Sequence, residues 1–215
     1  MSAPLGKQGN GGESSGPCNG GPGCCRRRGQ GGCGKEAGKE GRGRQEIKLL
    51  VGLGNPGKKY AGTRHNVGVE AVRSFADQEG LSLTGKGFSS QNLLLLLPQT
   101  FMNRSGEAVR EACDFYRIAV RDLMVVHDDL DLPLGKVKRV RDAGAAGHRG
   151  VASVIEVLGT GDFHRIRIGI GRPARKEEVE GFVLSPFEEG EKDQVREMIE
   201  EAARLLKEWV RQEET

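Results

Sequence analysis

The sequence predicts a single α/β domain: a mostly parallel, mixed sheet flanked by helices on both faces. Three observations point there. The runs Ile47–Val51, Leu93–Leu97 and Leu123–Val126 are short, apolar and bounded by turn-forming or polar residues, as strands buried in a parallel sheet are. Stretches with apolar residues at helical spacing separate them. This alternation runs through 215 residues, a length that suits one domain with a substantial core, and it calls for crossover connections and hence parallel strands.

The globular region is expected to begin at Ile47. Residues 1–46 are dominated by Gly, with Ser, Pro and the run Arg26-Arg27-Arg28, and lack apolar periodicity. Such a segment cannot bury enough surface to offset its ordering entropy and reads as a disordered tail, which leaves residues 47–215 as the folded domain. Its first strand runs into Gly52-Leu-Gly-Asn-Pro-Gly57. A helix is expected from about Asn66, with Val69, Val72 and Ala76 on one face and Gly80 as its stop. After the strand Leu93–Leu97, Ser105 is placed to cap a helix presenting Val109, Ala112, Cys113 and Tyr116. The strand Leu123–Val126 then delivers His127, Asp128, Asp129 and Asp131 at its carboxyl end, where open α/β sheets place ligand-binding groups.

A basic strand over Lys136–Arg141 and a glycine- and alanine-rich turn over Ala143–Gly150 follow. Next comes a helix with Val151, Val154, Ile155 and Leu158 inward, ended by Gly159. In the strand His164–Ile170 the residues Ile166, Ile168 and Ile170 share one face and Arg165 and Arg167 the other, predicting a core face and a cationic face. The last helix is expected to start at Ser185-Pro186-Phe187-Glu188 and to carry Val195, Met198, Ile199, Ala202, Leu205, Leu206 and Trp209 as one stripe.

Composition narrows the chemistry. The longest apolar run, Leu93–Leu97, is far below the roughly 18 residues that span a bilayer, so a cytoplasmic protein without membrane partner is expected. A net charge of +3 is too small to identify a nucleic-acid partner, which local clustering of charge decides. Cys18, Cys24, Cys25 and Cys33 have irregular spacing and form no paired C-x-x-C, so no metal site is read there; Cys113, on a helix face, reads as apolar packing. Gly52-x-Gly54-x-x-Gly57 matches the dinucleotide pattern, yet Lys58–Arg64 separates it from the next helix, where a helix N-terminus should meet the pyrophosphate. His-Glu-x-x-His and Gly-x-Ser-x-Gly are both missing. Water attack assisted by a side chain remains, and imidazole suits proton transfer near neutral pH. His65, where a glycine-containing loop meets a helix, is the best candidate base; His127 and His164 read as structural.

The segments Val51-Gly-Leu-Gly-Asn-Pro-Gly57, Tyr60, Thr63-Arg-His-Asn66, Phe101-Met-Asn103, His127-Asp-Asp-Leu-Asp-Leu-Pro133 and Phe163-His-Arg-Ile-Arg-Ile-Gly-Ile-Gly171 occur in that order. Together, over roughly Ile47 to Trp209, they resemble the bacterial-type peptidyl-tRNA hydrolase family. The resemblance implies an enzyme that cleaves the ester between a peptide and the tRNA 3′ end, as a monomer and without cofactor or metal, in recycling tRNA during translation. It implies His65, Asp128, Asn55 and Asn103 as catalytic, and Tyr60, Asn66, Phe101, Met102, His148 and Arg149 as substrate-binding. The acceptor stem and 3′ CCA end would meet Lys136, Lys138, Arg165 and Arg167.

The chain also departs from that pattern. Val140 stands where the family usually has a phosphate-binding cation, and the stretch between Gly85 and Leu93 is short, suggesting a trimmed hairpin. Gly147-His-Arg-Gly150 carries Arg149 where an asparagine is expected. Pointing inward, Arg149 would crowd the peptide; pointing outward, the expected case, it would meet a tRNA phosphate. The alternative function on this scaffold is a non-enzymatic RNA-binding or splicing factor.

Overall fold

The computed structural model describes residues 47–81, 88–90 and 92–212, and the expected tail lies outside these. Among the described residues, six strands form one sheet in the order β2-β3-β1-β4-β6-β5: β1 (Lys48–Gly52), β2 (Phe88–Ser90), β3 (Leu93–Leu96), β4 (Leu123–Asp129), β5 (Val137–Arg141) and β6 (His164–Gly169). The four inner strands are parallel, and β2 and β5 close the two edges antiparallel, which makes the sheet mixed as expected. The short strand β2 is not legible in the sequence.

Because successive strand residues face opposite ways, β1, β3 and β4 each feed two cores, while β6 gives apolar residues to one. Leu50, Met124, Val126, Ile166 and Ile168 pack against α1 (Val67–Gln78) and α5 (Lys192–Arg211). Leu49, Val51, Leu123 and Val125 pack against α2 (Ser105–Tyr116) and α3 (Arg149–Leu158). A fifth helix, α4 (Val179–Val183), has too few residues to show a period and was not expected.

Boundaries differ in instructive places. Gly80, at φ +65°, ends α1 as predicted, with Leu81 N–H donating to Ala76 O at 2.8 Å. Val69, expected inward, is only half-buried, and Ala71 and Phe75 complete the inner face. Ser105 does not cap α2: a 3₁₀ turn over Met102–Arg104 carries the helix back one turn and buries the serine inside it. Tyr116, expected inward, is exposed beside Phe115 because the helix ends there in the left-handed Arg117. The start of α5 lies later than predicted, since Glu188 rather than Ser185 makes the capping box, with Glu191.

One close approach positions the site. A Cβ on Gly68 would lie 2.4 Å from the Val126 carbonyl oxygen, so glycine lets the first turn of α1 rest on the carboxyl end of β4. The turn just before α1 therefore meets the residues just after Val126.

Candidate active site

That contact brings His65, in a 3₁₀ turn over Arg64–Asn66, onto Asp128, in the last turnless stretch of β4. His65 Nδ1 lies 2.8 and 3.0 Å from the two carboxylate oxygens. His148 Nε2 lies 2.9 Å from Asp128 Oδ1, while its Nδ1 accepts the Val151 N–H at 3.1 Å and so caps α3. These partners assign the protons. A backbone N–H can only donate, so His148 carries its hydrogen on Nε2; a carboxylate can only accept, so His65 carries its hydrogen on Nδ1. His65 Nε2 is left with a lone pair.

Asp128 is 2% exposed. Burial works against its ionisation, but the contacts with His148 and His65 outweigh it and hold the carboxyl well below the usual carboxylate range. Its charge thus persists where an imidazolium would form. His65, Asp128 and His148 also group three metal-ligating side chains. The donor set is wrong for a metal, because the Val151 N–H on His148 Nδ1 leaves Nε2 without the lone pair that coordination needs.

The neighbouring loop is locked from both sides. Asn66 Oδ1 accepts the Asn55 N–H at 2.8 Å and Asn66 Nδ2 donates to Asn55 O at 3.0 Å. Both ends of that buried amide engage the Asn55 backbone, so Asn66 shapes the loop that carries Asn55. Asn55 Oδ1 accepts the Met102 N–H at 2.9 Å, which turns its NH₂ into the free end.

A cleft of about 730 Å³ opens over these groups. Asn55, Tyr60, Phe101, Met102 and Asn103 line one side; His65, His127, Asp128 and Asp129 line another part; His148 and Arg149 contribute from the start of α3. The remaining wall, with Lys176, Val179, Glu180, Val183 and Leu184, comes from α4 and its approach. Those residues carried no motif or period, so the sequence reading missed them.

His127 is a buried neighbour of this site, its Nδ1 donating to Asp128 O at 2.7 Å. Burial, helped by the nearby His148, pushes its pKa down to about 3 from an ordinary 6.5. The unfolded chain thus binds a proton that the folded chain refuses, and stability should fall as pH drops through the window from about 6.5 towards 3. Urea midpoints measured at pH 7 and 4.5 check this: the drop should be smaller in His127→Phe than in the wild type, and equal drops would contradict it.

A family model described as peptidyl-tRNA hydrolase matches residues 49–215. The chain belongs to the peptidyl-tRNA hydrolase family. Peptidyl-tRNA hydrolase from Halalkalibacterium halodurans is 47% identical over 166 residues, covering 73% of this chain and 90% of that one. The chloroplastic peptidyl-tRNA hydrolase of Arabidopsis thaliana is 47% identical over 171 residues, 74% of this chain and 59% of that one. The crystal structure of the Acinetobacter baumannii peptidyl-tRNA hydrolase superposes with a TM-score of 0.72 at 37% identity, covering 79% of this chain and 91% of that chain.

Of the residues that the family pattern marks, Asn55, Tyr60, His65, Phe101, Met102, Asn103, Asp128, His148 and Arg149 all line the one cleft. Arg149 stands exposed at the rim, its Nη1 3.4 Å from Glu180 Oε1 on the opposite wall. The four cations divide. Lys136 and Lys138 are exposed, and Arg167 stands beside Lys138 in register and beside His127 on its other side. His127, Arg167 and Lys138 thus share one sheet face, leading from the cleft to the β5 edge.

Arg165 does not join them. It is 1% exposed, stacks 4.5 Å from the Phe163 ring, and donates to the carbonyls of Ala143, Gly144 and Gly161. The expected cationic face is therefore halved. Residues 142–147, which pass through positive φ at Asp142, Ala146 and Gly147, fold over this end of the strand and aim carbonyls inward. Arg139 and Arg141 face the other way, towards Gln212 and Asp162, and so do not replace the cation missing at Val140.

Proposed function

We propose that this member of the family hydrolyses peptidyl-tRNA by water attack, with His65 as general base and no covalent intermediate. The carrying observation is the His65 Nδ1 contact with Asp128, which presents an unprotonated Nε2 to the cleft. Nε2 takes a proton from water as its oxygen bonds to the ester carbonyl carbon, and Asp128 stabilises the imidazolium. The Asn55 NH₂, aimed by Met102, and the Asn103 amide at the mouth donate to the resulting oxyanion. Collapse breaks the bond to the ribose 3′ oxygen, which leaves with the proton returned from Nε2. Met102, Val179 and Val183 offer apolar surface to the peptide. All these groups come from one chain, so a monomer suffices.

The acceptor stem is proposed to follow the Lys136, Lys138 and Arg167 strip. Arg167 Nε is engaged by Asp129, which leaves its two Nη groups for a phosphate. Sequence-independent backbone contacts suit an enzyme that must accept every tRNA. Arg149, exposed beside Glu180 at the cleft, is proposed to meet a tRNA phosphate there and not the peptide. Arg149→Asn should raise KM by about three- to tenfold and flatten its salt dependence, with kcat nearly unchanged. A higher kcat with an unchanged salt slope would place Arg149 in the peptide site instead.

The functional test compares an N-blocked aminoacyl-tRNA with its unblocked form, scoring release of free tRNA. Cleavage of the blocked ester alone is expected. Turnover at the buffer rate for both substrates, with tRNA still bound, would favour a non-enzymatic RNA-binding role.

A further inference from the structure

We propose that Arg64 is a positioning residue: it fixes the turn that carries His65, and so sets where Nε2 stands in the cleft. The proposal rests on the reading of His65 as the base. Arg64 precedes His65 in the same 3₁₀ turn, and its side chain is only 4% exposed. Its Nη1 and Nη2 donate to Glu191 Oε1 and Oε2 at 3.1 and 2.6 Å, a two-pronged contact that fixes direction as well as distance. The guanidinium lies between two aromatic rings, 4.4 Å from the centre of Phe182 and 4.7 Å from that of Phe187. Main-chain contacts run parallel to it: Arg64 N–H donates to Ser185 O at 3.0 Å, and Thr63 bridges Pro186.

Each partner belongs to something rigid or to the cleft. Glu191 also accepts the Glu188 N–H at 2.7 Å and opens onto α5, whose Val195, Met198 and Leu206 lie in the core. Phe182 lies in α4, a helix too short to hold itself, whose Val179, Glu180 and Val183 line the cleft. Arg64 is thus the side chain through which the base-bearing turn is referenced to α5 and to the α4 wall. Stability alone is a poor reason for the arrangement, because a buried ion pair is often no more stabilising than an apolar replacement. Geometry is the better reason, since a displacement of about 1 Å at a reacting group can cost on the order of 10²-fold in rate.

The test measures kcat, KM and thermal midpoint for Arg64→Met and Arg64→Lys on an N-blocked aminoacyl-tRNA, beside His65→Ala and Val195→Ala. Val195 is buried on α5 away from the cleft, so its variant reports what loosening that helix does by itself. The expected result is a fall in kcat of about 10- to 100-fold for both Arg64 variants, with KM within about threefold. Val195→Ala should lose thermal stability and keep kcat.

Unchanged kcat in a folded Arg64 variant, with His65→Ala inactive, would overturn the positioning role and leave the base intact. Turnover retained by His65→Ala would instead overturn the reading of the base. A kcat loss in Val195→Ala as large as in Arg64→Met would also overturn the proposal, since loosening alone would then explain it. Should the Arg64 variants fail to fold, Glu191→Gln keeps the shape but turns an amide donor towards the guanidinium. Its kcat should fall about fivefold, and an unchanged kcat there overturns the proposal.

Discussion

Substitution of His65 by alanine is expected to lower kcat by about 10²- to 10⁴-fold with little change in KM. The size follows from what is removed. Without Nε2, water must lose its proton to solvent while it attacks, and only the amide donors and substrate positioning remain. Little should change in substrate affinity, because the apolar surface proposed for the peptide (Met102, Val179 and Val183) and the strip proposed for the RNA on the β5 side do not include His65. Single-turnover kinetics with an N-blocked aminoacyl-tRNA separate the two constants. A variant that keeps wild-type kcat would remove His65 from the base role. Asp128→Asn in the same assay would then show whether any imidazole serves the reaction.

Asp128→Asn should be nearly as damaging, at about 10²- to 10⁴-fold in kcat. Asp128 Oδ1 accepts from both His65 Nδ1 and His148 Nε2, and Oδ2 accepts from His65 Nδ1 again. An asparagine can keep one of these oxygens but must place an NH₂ where the other stood, 3.0 Å from a ring nitrogen that also carries hydrogen. Relief comes by moving the His65 proton to Nε2, the tautomer that cannot act as base. His148 cannot adjust in the same way, since the Val151 N–H holds its Nδ1 as an acceptor. The loss of the carboxylate also removes the charge that stabilises the imidazolium. Turnover within a few fold of wild type would mean that the carboxylate is not needed to orient or stabilise His65.

The sequence made the framework and half of the site readable, for a physical reason. The runs at Ile47–Val51 and Leu123–Val126 are mostly apolar and end abruptly, so Asp128, at the carboxyl end of β4, is legible at a sheet's edge, whereas Asn55 is legible only through the family resemblance. His65 stood out because a glycine loop meets a helix there. What could not be read depends on contacts distant in the chain. Arg165 and Arg167 alternate identically in β6, yet one is buried under the turn at 142–147 and the other is partly open, and only the fold of that turn separates them. Asn66 holds the Asn55 backbone with its amide, a contact between residues 11 apart that no local pattern announces. Arg64 drew no notice because Glu191, its partner, lies 127 residues further on. The α4 wall stayed hidden because five residues show no period.

Base catalysis by His65 depends at every step on which ring nitrogen carries the hydrogen. Nitrogen-15 NMR of the imidazole, in wild type and in Asp128→Asn, at a pH where the ring is neutral, reads which nitrogen is bare. Hydrogen on Nδ1 and a bare Nε2 are expected in the wild type, with that preference weakened or reversed in the variant. Hydrogen on Nε2 in the wild-type protein would contradict base catalysis by His65.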